Sequence, residues 1–244
     1  MRGTDPLGRA IYDHYRGERE EPLVDRDGAR TREQPIERFY FGEFDPGSER
    51  GTWVRSKLDG PLLDIGAGAG RDALYFQDRF ETIATDVSEF LVETMRERGV
   101  RDVREVDMFA LREAFDRDRF RSVLVYGTQI GLAGSIQGLR EFLGDLAFVT
   151  KPDVSAAVHG YDPEMDATGE ILGYRADPTP GLAYRVYHST YEDAHETLLF
   201  RLFSPDRLRE AAVGTGWEVA EVKYASGENP STYLAALRKR RRHR

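Results

Sequence analysis

Pro61-Leu62-Leu63-Asp64-Ile65-Gly66-Ala67-Gly68-Ala69-Gly70-Arg71-Asp72 passes from an apolar run through an acidic residue and three alternating glycines into a helical pattern. Leu62, Leu63 and Ile65 suit a strand buried on both faces, as in a parallel sheet. Gly66, Gly68 and Gly70 permit a tight turn with no side chain between the backbone and a bound molecule. The helix predicted to follow turns its free N–H groups back toward that turn. Together these features make a cradle for a small molecule.

Strand and helix alternate from Pro61 onward. Further strands are predicted at Thr82–Asp86, Val103–Val106, Ser122–Tyr126 and Ser155–His159, the last entered through a turn at Lys151-Pro152-Asp153. Ser88 and Ser135 are placed to cap two of the intervening helices. Such alternation predicts an α/β fold with a doubly wound, mostly parallel sheet of Rossmann-like type. Ser204-Pro205 opens a last helix, and Trp217–Val222 and Thr232–Leu237 complete seven strands. Their connection through Gly227-Glu228-Asn229-Pro230 is short enough to make the last strand antiparallel.

Two segments lie outside this rhythm. Residues 1–58 form an N-terminal extension in which Leu7, Ile11 and Tyr15 mark one helical face. Within it, Glu18 to Arg38 reads as charged and irregular, and Phe39-Tyr40-Phe41 as a packing cluster. Residues 162–203 read as a hairpin-bearing insertion, with extended runs at Leu182–Thr190 and Thr197–Phe203. The expected organisation is a single domain over 1–244, with a cofactor-binding core at 60–161, a C-terminal helix and strand pair at 204–237, and a basic tail at 238–244.

Composition narrows the function classes. With 40% hydrophobic and 32% charged residues among 244, the chain has material for a full core. No apolar run approaches the roughly 18 residues of a membrane span. No signal peptide is read at the N-terminus, and the cytoplasm is the simplest compartment. Cysteine is absent, which excludes disulfides, thiolate metal sites and a cysteine nucleophile. His14, His159, His188 and His195 lack metal-ligand spacing, so no metal is expected. The net charge is −8, yet Arg238 to Arg244 carries six basic residues, leaving 29 basic against 43 acidic in the body. An acidic body repels nucleic acid except where the tail overrides it.

The spacing of the glycines selects among nucleotide cradles. A dinucleotide loop places its third glycine where Arg71 stands, and a phosphate-binding loop needs Gly-Lys-Ser/Thr, which is missing. Asp64, Asp86 and Asp107 each stand at the carboxyl end of a predicted strand, where open α/β sheets bind ligands. Asp86 is placed to accept from two ribose hydroxyls and Asp107 from an exocyclic amine. An acidic cradle suits a cationic, phosphate-free nucleoside better than a pyrophosphate. Taken alone, the glycine turn is also compatible with a purely structural role.

Asp64-Ile65-Gly66-Ala67-Gly68-Ala69-Gly70, with Asp86 and Val106-Asp107-Met108, resembles the cofactor motifs of class I S-adenosylmethionine-dependent methyltransferases, and Gly127-Thr128-Gln129-Ile130-Gly131-Leu132-Ala133-Gly134 looks like the block of small-molecule-type members. The resemblance covers about residues 60–160 and 204–238. It implies that Asp64, Gly66, Ala67, Gly68, Gly70 and Arg71 hold the methionyl part of S-adenosylmethionine. It further implies that Asp86 binds the ribose, that Val87, Asp107 and Met108 contact the adenine, and that Tyr126 and Gly127 close the pocket.

Methyl transfer from a sulfonium needs little beyond alignment of acceptor, methyl and sulfur. No compelling general base is visible; Gln129 and His159 are the candidates on the substrate side. The Asp/Asn-Pro-Pro-aromatic motif for exocyclic base amines is absent, for Tyr126-Gly127-Thr128-Gln129 stands in its place. The expected activity is therefore methylation of a small-molecule acceptor covered by residues 1–58 and 162–203. The alternatives are a nucleic-acid methyltransferase using the basic tail and a non-catalytic S-adenosylmethionine binder. The sequence leaves the oligomeric state open.

Overall fold

The computed structural model describes residues 5–224 and 231–240. The connection at 227–230 and the end of the tail, 241–244, lie outside the described residues. The seven-stranded sheet expected from the alternation is present. Its strands are β3 (Leu62–Ile65), β4 (Thr82–Asp86), β5 (Val103–Glu105), β6 (Phe120–Val125), β7 (Thr150–Tyr161), β11 (Trp217–Tyr224) and β12 (Thr232–Lys239), in the order β11-β12-β7-β6-β3-β4-β5. β3 to β7 are mutually parallel, and β12 runs antiparallel to both β7 and β11. The strand order reverses between β3 and β6. That reversal opens a crevice beyond their carboxyl ends, immediately below the glycine turn.

Helices cover both faces, as continuous apolar strands require. On one face, Leu139, Phe142, Leu143 and Leu146 of α6 (Ile136–Val149) and Leu208 of α7 (Pro205–Ala212) pack with Leu63, Ile65, Val123 and Val158. On the other, Trp53 and Val54 of α2 (Glu49–Lys57) and Phe76 of α3 (Arg71–Phe76) pack on Leu62, Leu124 and Ala157. Ala73 meets Val92 and Met95 of α4 (Glu89–Glu97). Ser88, Ser135 and Ser204 accept the N–H groups of Leu91, Gly138 and Arg207 as caps. None of these helices is long and apolar enough to cross a membrane, among the described residues.

Two expectations are corrected. The segment read as irregular, Glu18 to Arg38, contains the hairpin β1 (Val24–Asp27) and β2 (Arg30–Glu33), turning at Gly28 with φ 59°. Its strands carry too few apolar residues to announce themselves, and their stability comes from a distant partner. β1 pairs antiparallel with β9 (Leu182–Tyr191), which also pairs with β10 (Ala194–Phe203) and β8 (Tyr174–Ala176). The N-terminal extension and the insertion thus form one five-stranded antiparallel sheet. Secondly, Lys151-Pro152-Asp153 does not precede strand five but lies within β7. It makes a bulge, with Asp153 at φ 58°, where the register against β6 slips between Phe120–Thr150 and Ser122–Ser155.

The second sheet is docked at defined points. Helix α1 (Pro6–Arg16) buries Ala10 and Ile11 against Leu91 and Tyr191, and Tyr191 donates to Asp13 Oδ2 at 3.0 Å. At the other end, β10 lies on the 3-10 turn Gln129–Ala133: a Cβ at Gly131 would stand 2.9 Å from the Arg201 carbonyl oxygen and 3.2 Å from Phe200 Cβ. Gly131→Ala is therefore expected to force β10 off the turn and destabilise the protein by about 1–3 kcal/mol. Denaturant titration measures the loss, and limited proteolysis should cut sooner within 182–203. An unchanged midpoint and cleavage rate would contradict this docking.

Candidate active site

The glycine turn follows β3 in the conformation that its sequence demands. Gly66, Gly68 and Gly70 have φ of 64°, 60° and 80°, the left-handed region that disfavours side chains. A Cβ at Gly66 would stand 2.7 Å from Gln129 Cδ, and one at Gly68 would stand 3.3 Å from Tyr40 Cδ1. The Ala67 N–H donates to the Thr85 carbonyl at 3.0 Å, which ties the turn to the end of β4.

The three carboxylates occupy different environments. Asp64 is buried, and its Oδ2 is enclosed without a hydrogen-bond partner. Burial first, and then the charge of Asp72, holds the Asp64 carboxyl well above the usual carboxylate range, against the pull of Arg50 and Arg71. Asp86 is also buried. Its Oδ2 accepts from the Gly68 N–H and its Oδ1 from the Ser88 N–H, both at 3.1 Å. Burial raises its pKa to about 6 despite those backbone donors. Asp107 is exposed and accepts from the Phe109 N–H at 2.9 Å. Beside it Met108 is buried, while Val87 and Phe109 are 68% and 44% exposed, an apolar wall open to a planar ligand.

A cationic group that sequence reasoning missed stands beside Asp64. Arg50, on α2, reaches both oxygens of Asp72 at 3.0 and 2.9 Å, and Arg71 approaches Asp72 at 3.5 Å. Both guanidiniums lie over the Tyr126 ring, 3.9 and 5.4 Å from its centroid. Each has its Nε enclosed without a partner. Nothing in the pattern of α2 marks Arg50; only its turn signal, Asp45-Pro46-Gly47-Ser48, shows that a helix begins there. Arg71, by contrast, is marked by the glycine spacing.

Tyr126 and Gly127 follow β6 across the crevice from the glycine turn. Tyr126 stacks on His159 at 4.5 Å and 18°. Thr128 N–H donates to His159 Nδ1 at 3.2 Å, and burial, with Arg50 and Arg71, lowers the ring's pKa to about 3. Gln129, the other substrate-side candidate, lies against Gly66.

The aromatic cluster at 39–41 forms a π-helical turn (Glu37–Phe41) clasped to the glycine turn. Arg71 donates to the Phe39 carbonyl at 3.4 Å, and Arg98 donates to the carbonyls of Tyr40 (3.3 Å) and Ala69. The cluster packs as expected, and its packing partner is the candidate site itself. Tyr40, its hydroxyl pushed up by burial, is close enough to Asp86 and to Asp25 and Arg185 of the second sheet to feel their charges. There Asp25 is buried, accepting from Ser189 at 3.0 Å and from Gln34, with Arg185 3.9 Å away. Tyr40 therefore stands between the glycine turn and buried polar groups of the second sheet.

No family model matches the chain, and no curated protein matches it. Among solved structures, an S-adenosylmethionine-dependent methyltransferase from Bacteroides fragilis, in complex with S-adenosyl-L-homocysteine, superposes with a TM-score of 0.74 at 23% identity, covering 97% of this chain and 95% of that one. The CcbJ methyltransferase from Streptomyces caelestis gives a TM-score of 0.65 at 16% identity over 97% and 98%. CalS10, an amino pentose methyltransferase from Micromonospora echinaspora, gives 0.52 at 15% over 73% and 82%. The first two matches take in the second sheet as well as the first. At these identities the likeness shows the fold: this chain has the Rossmann-like fold of those methyltransferases, with its extension and insertion included.

Proposed function

We propose that the protein is an S-adenosylmethionine-dependent methyltransferase acting on a small molecule. The observation that carries this reading is the enclosed, unpartnered Oδ2 of Asp64 beside a turn that only glycine can make. Burying a polar atom without a partner costs about 1–3 kcal/mol, so the site is built for a donor that arrives with its ligand. The α-ammonium of a methionyl group supplies one. Arg50 and Arg71, with their own unpartnered Nε atoms, face the α-carboxylate. Gly66, Ala67, Gly68 and Gly70 let the backbone approach the ligand closely. Asp86, its carboxylate oriented by two backbone donors, keeps lone pairs for a ribose diol. Val87, Asp107 and Met108 offer adenine an apolar wall and an acceptor, and Tyr126 and Gly127 bound the crevice.

The sulfonium supplies an electrophilic methyl group when bound. The protein's part is to align the acceptor with it and to exclude water, which is sufficient for an acceptor that is already nucleophilic. Tyr40 and the second sheet, with Asp25, Arg185 and Tyr187, are placed to hold that acceptor. Gln129 and His159 approach it from the strand ends. A polar, small acceptor suits these groups better than a nucleic acid, whose phosphates the acidic body would repel.

The direct test is transfer of labelled methyl from S-adenosylmethionine to a panel of small amines, hydroxylated compounds and carboxylates. Transfer to at least one member is expected; none across the panel, or tight binding of NAD instead, would overturn the reading. Asp86→Ala should weaken S-adenosylhomocysteine binding by about 1.5–3 kcal/mol in calorimetry, through loss of charge-assisted hydrogen bonds.

Asp86→Asn should separate binding from stability. In the fold its carboxyl is raised from 3.8 to about 6. It therefore favours folding fully below pH 3.8, and that contribution is lost as pH rises through 6. At pH 8 the ionised group costs the ligand-free protein up to about 3 kcal/mol. The stability of Asp86→Asn relative to wild type should thus improve between pH 4 and pH 8, as measured by denaturant unfolding. A pH-independent difference would contradict the burial argument.

A further inference from the structure

Thr128 adopts φ 67°, a left-handed backbone uncommon for a β-branched residue. That conformation aims its N–H at His159 Nδ1, 3.2 Å away. A backbone N–H only donates, so Nδ1 is the lone-pair nitrogen, and the hydrogen of the neutral ring resides on Nε2. Nε2 has no hydrogen-bond partner among the described residues, and it is not among the polar atoms enclosed without one. The ring is held flat against Tyr126, which also carries the Arg50 guanidinium at 3.9 Å. Arg50 and Arg71 are the charged groups facing the ring, and both oppose its protonation. A fixed, neutral imidazole therefore presents one N–H at the carboxyl end of β7, in the crevice where the acceptor must lie.

We infer that His159 is a fixed hydrogen-bond donor that orients the acceptor through Nε2–H, and that it is not a general base. This rests on the methyltransferase reading and narrows its substrate class: the acceptor carries a lone pair that accepts a hydrogen bond (of a carbonyl, hydroxyl, carboxylate or unprotonated nitrogen) near its nucleophilic atom. In the transfer, the acceptor's lone pair forms a bond to the methyl carbon. The carbon–sulfur bond breaks with its electron pair passing to sulfur, and the proton of the methylated acceptor leaves to water. His159 keeps its proton throughout. A base would need Nε2 to accept, which the Thr128 amide forbids while it holds Nδ1.

Two measurements test this. Imidazole nitrogen NMR of the full chain, from pH 5 to 9, should show His159 as the Nε2–H tautomer with no titration. An Nδ1–H tautomer, or protonation between pH 5 and 8, would overturn the inference whatever the protein's activity. With the acceptor turned over in the labelled-methyl panel, His159→Phe should raise the acceptor KM about tenfold without changing S-adenosylhomocysteine affinity. His159→Gln, which restores a donor, should recover most of that loss. Any rising limb of kcat/KM between pH 5 and 8, from Asp86 or from the acceptor itself, should persist unchanged in His159→Phe. Equal loss of kcat in both variants, with such a limb present only in wild type, would make His159 a base. Absence of turnover by wild type would instead sink the methyltransferase reading, and the NMR spectrum would still decide the ring's tautomer independently.

Discussion

The enclosure of the Asp64 carboxylate at the end of β3 is the constraint around which the site is arranged. A carboxylate buried there without a donor is unfavourable, and the neighbouring Asp72 makes it worse. The structure answers by bringing two guanidiniums to Asp72 and stacking both on Tyr126. Arg50 comes from α2, before the sheet begins, and Arg71 from the glycine turn itself. Burial first, and then the same cations, lowers the pKa of His159, so the imidazole stays neutral on the opposite wall of the crevice. Groups from the N-terminal extension, the glycine turn and strand β7 thus converge on one buried carboxyl at the switch point of the sheet.

The second consequence is geometric. Glycines at 66 and 68 leave a surface close enough for Gln129 and Tyr40 to touch, and Tyr40 belongs to a turn clasped by Arg71 and Arg98. Tyr40 in turn stands beside the sheet made by β1, β2, β8, β9 and β10. The glycine turn and the second sheet are therefore packed together through Tyr40. The pairing of Val24, Asp25 and Arg26 with Thr190, Ser189 and His188 sets Asp25 beside Ser189, and it joins residues far apart in the chain.

What is legible in the sequence follows from the range of the forces involved. Strands β3, β4 and β6 are short apolar runs bounded by turn residues, and the glycine turn with Asp64 and Asp86 is a local pattern. These can be read residue by residue. The β1–β2 hairpin cannot, although Asp27-Gly28 is a turn signal: its strands are mostly charged, and their partner lies at the other end of the insertion. Arg50 and Tyr40 escape for the same reason, since their roles arise from packing on the glycine turn rather than from any spacing. His159 is found from its place after strand five, but its tautomer depends on the left-handed backbone of Thr128, which no residue pattern announces. Lys151-Pro152-Asp153 does mark a break in the strand, but not its beginning, because β7 continues on both sides of it.

The central claim is that Asp64 and Asp86 divide a methionyl nucleoside between them, one taking its ammonium and the other its ribose. A crystal structure with S-adenosylhomocysteine bound tests this most directly. The α-ammonium is expected within hydrogen-bond distance of Asp64 Oδ2, and the ribose diol on Asp86. A complex in which Asp64 Oδ2 remains without a partner, or in which the nucleoside lies away from Asp86, would contradict it.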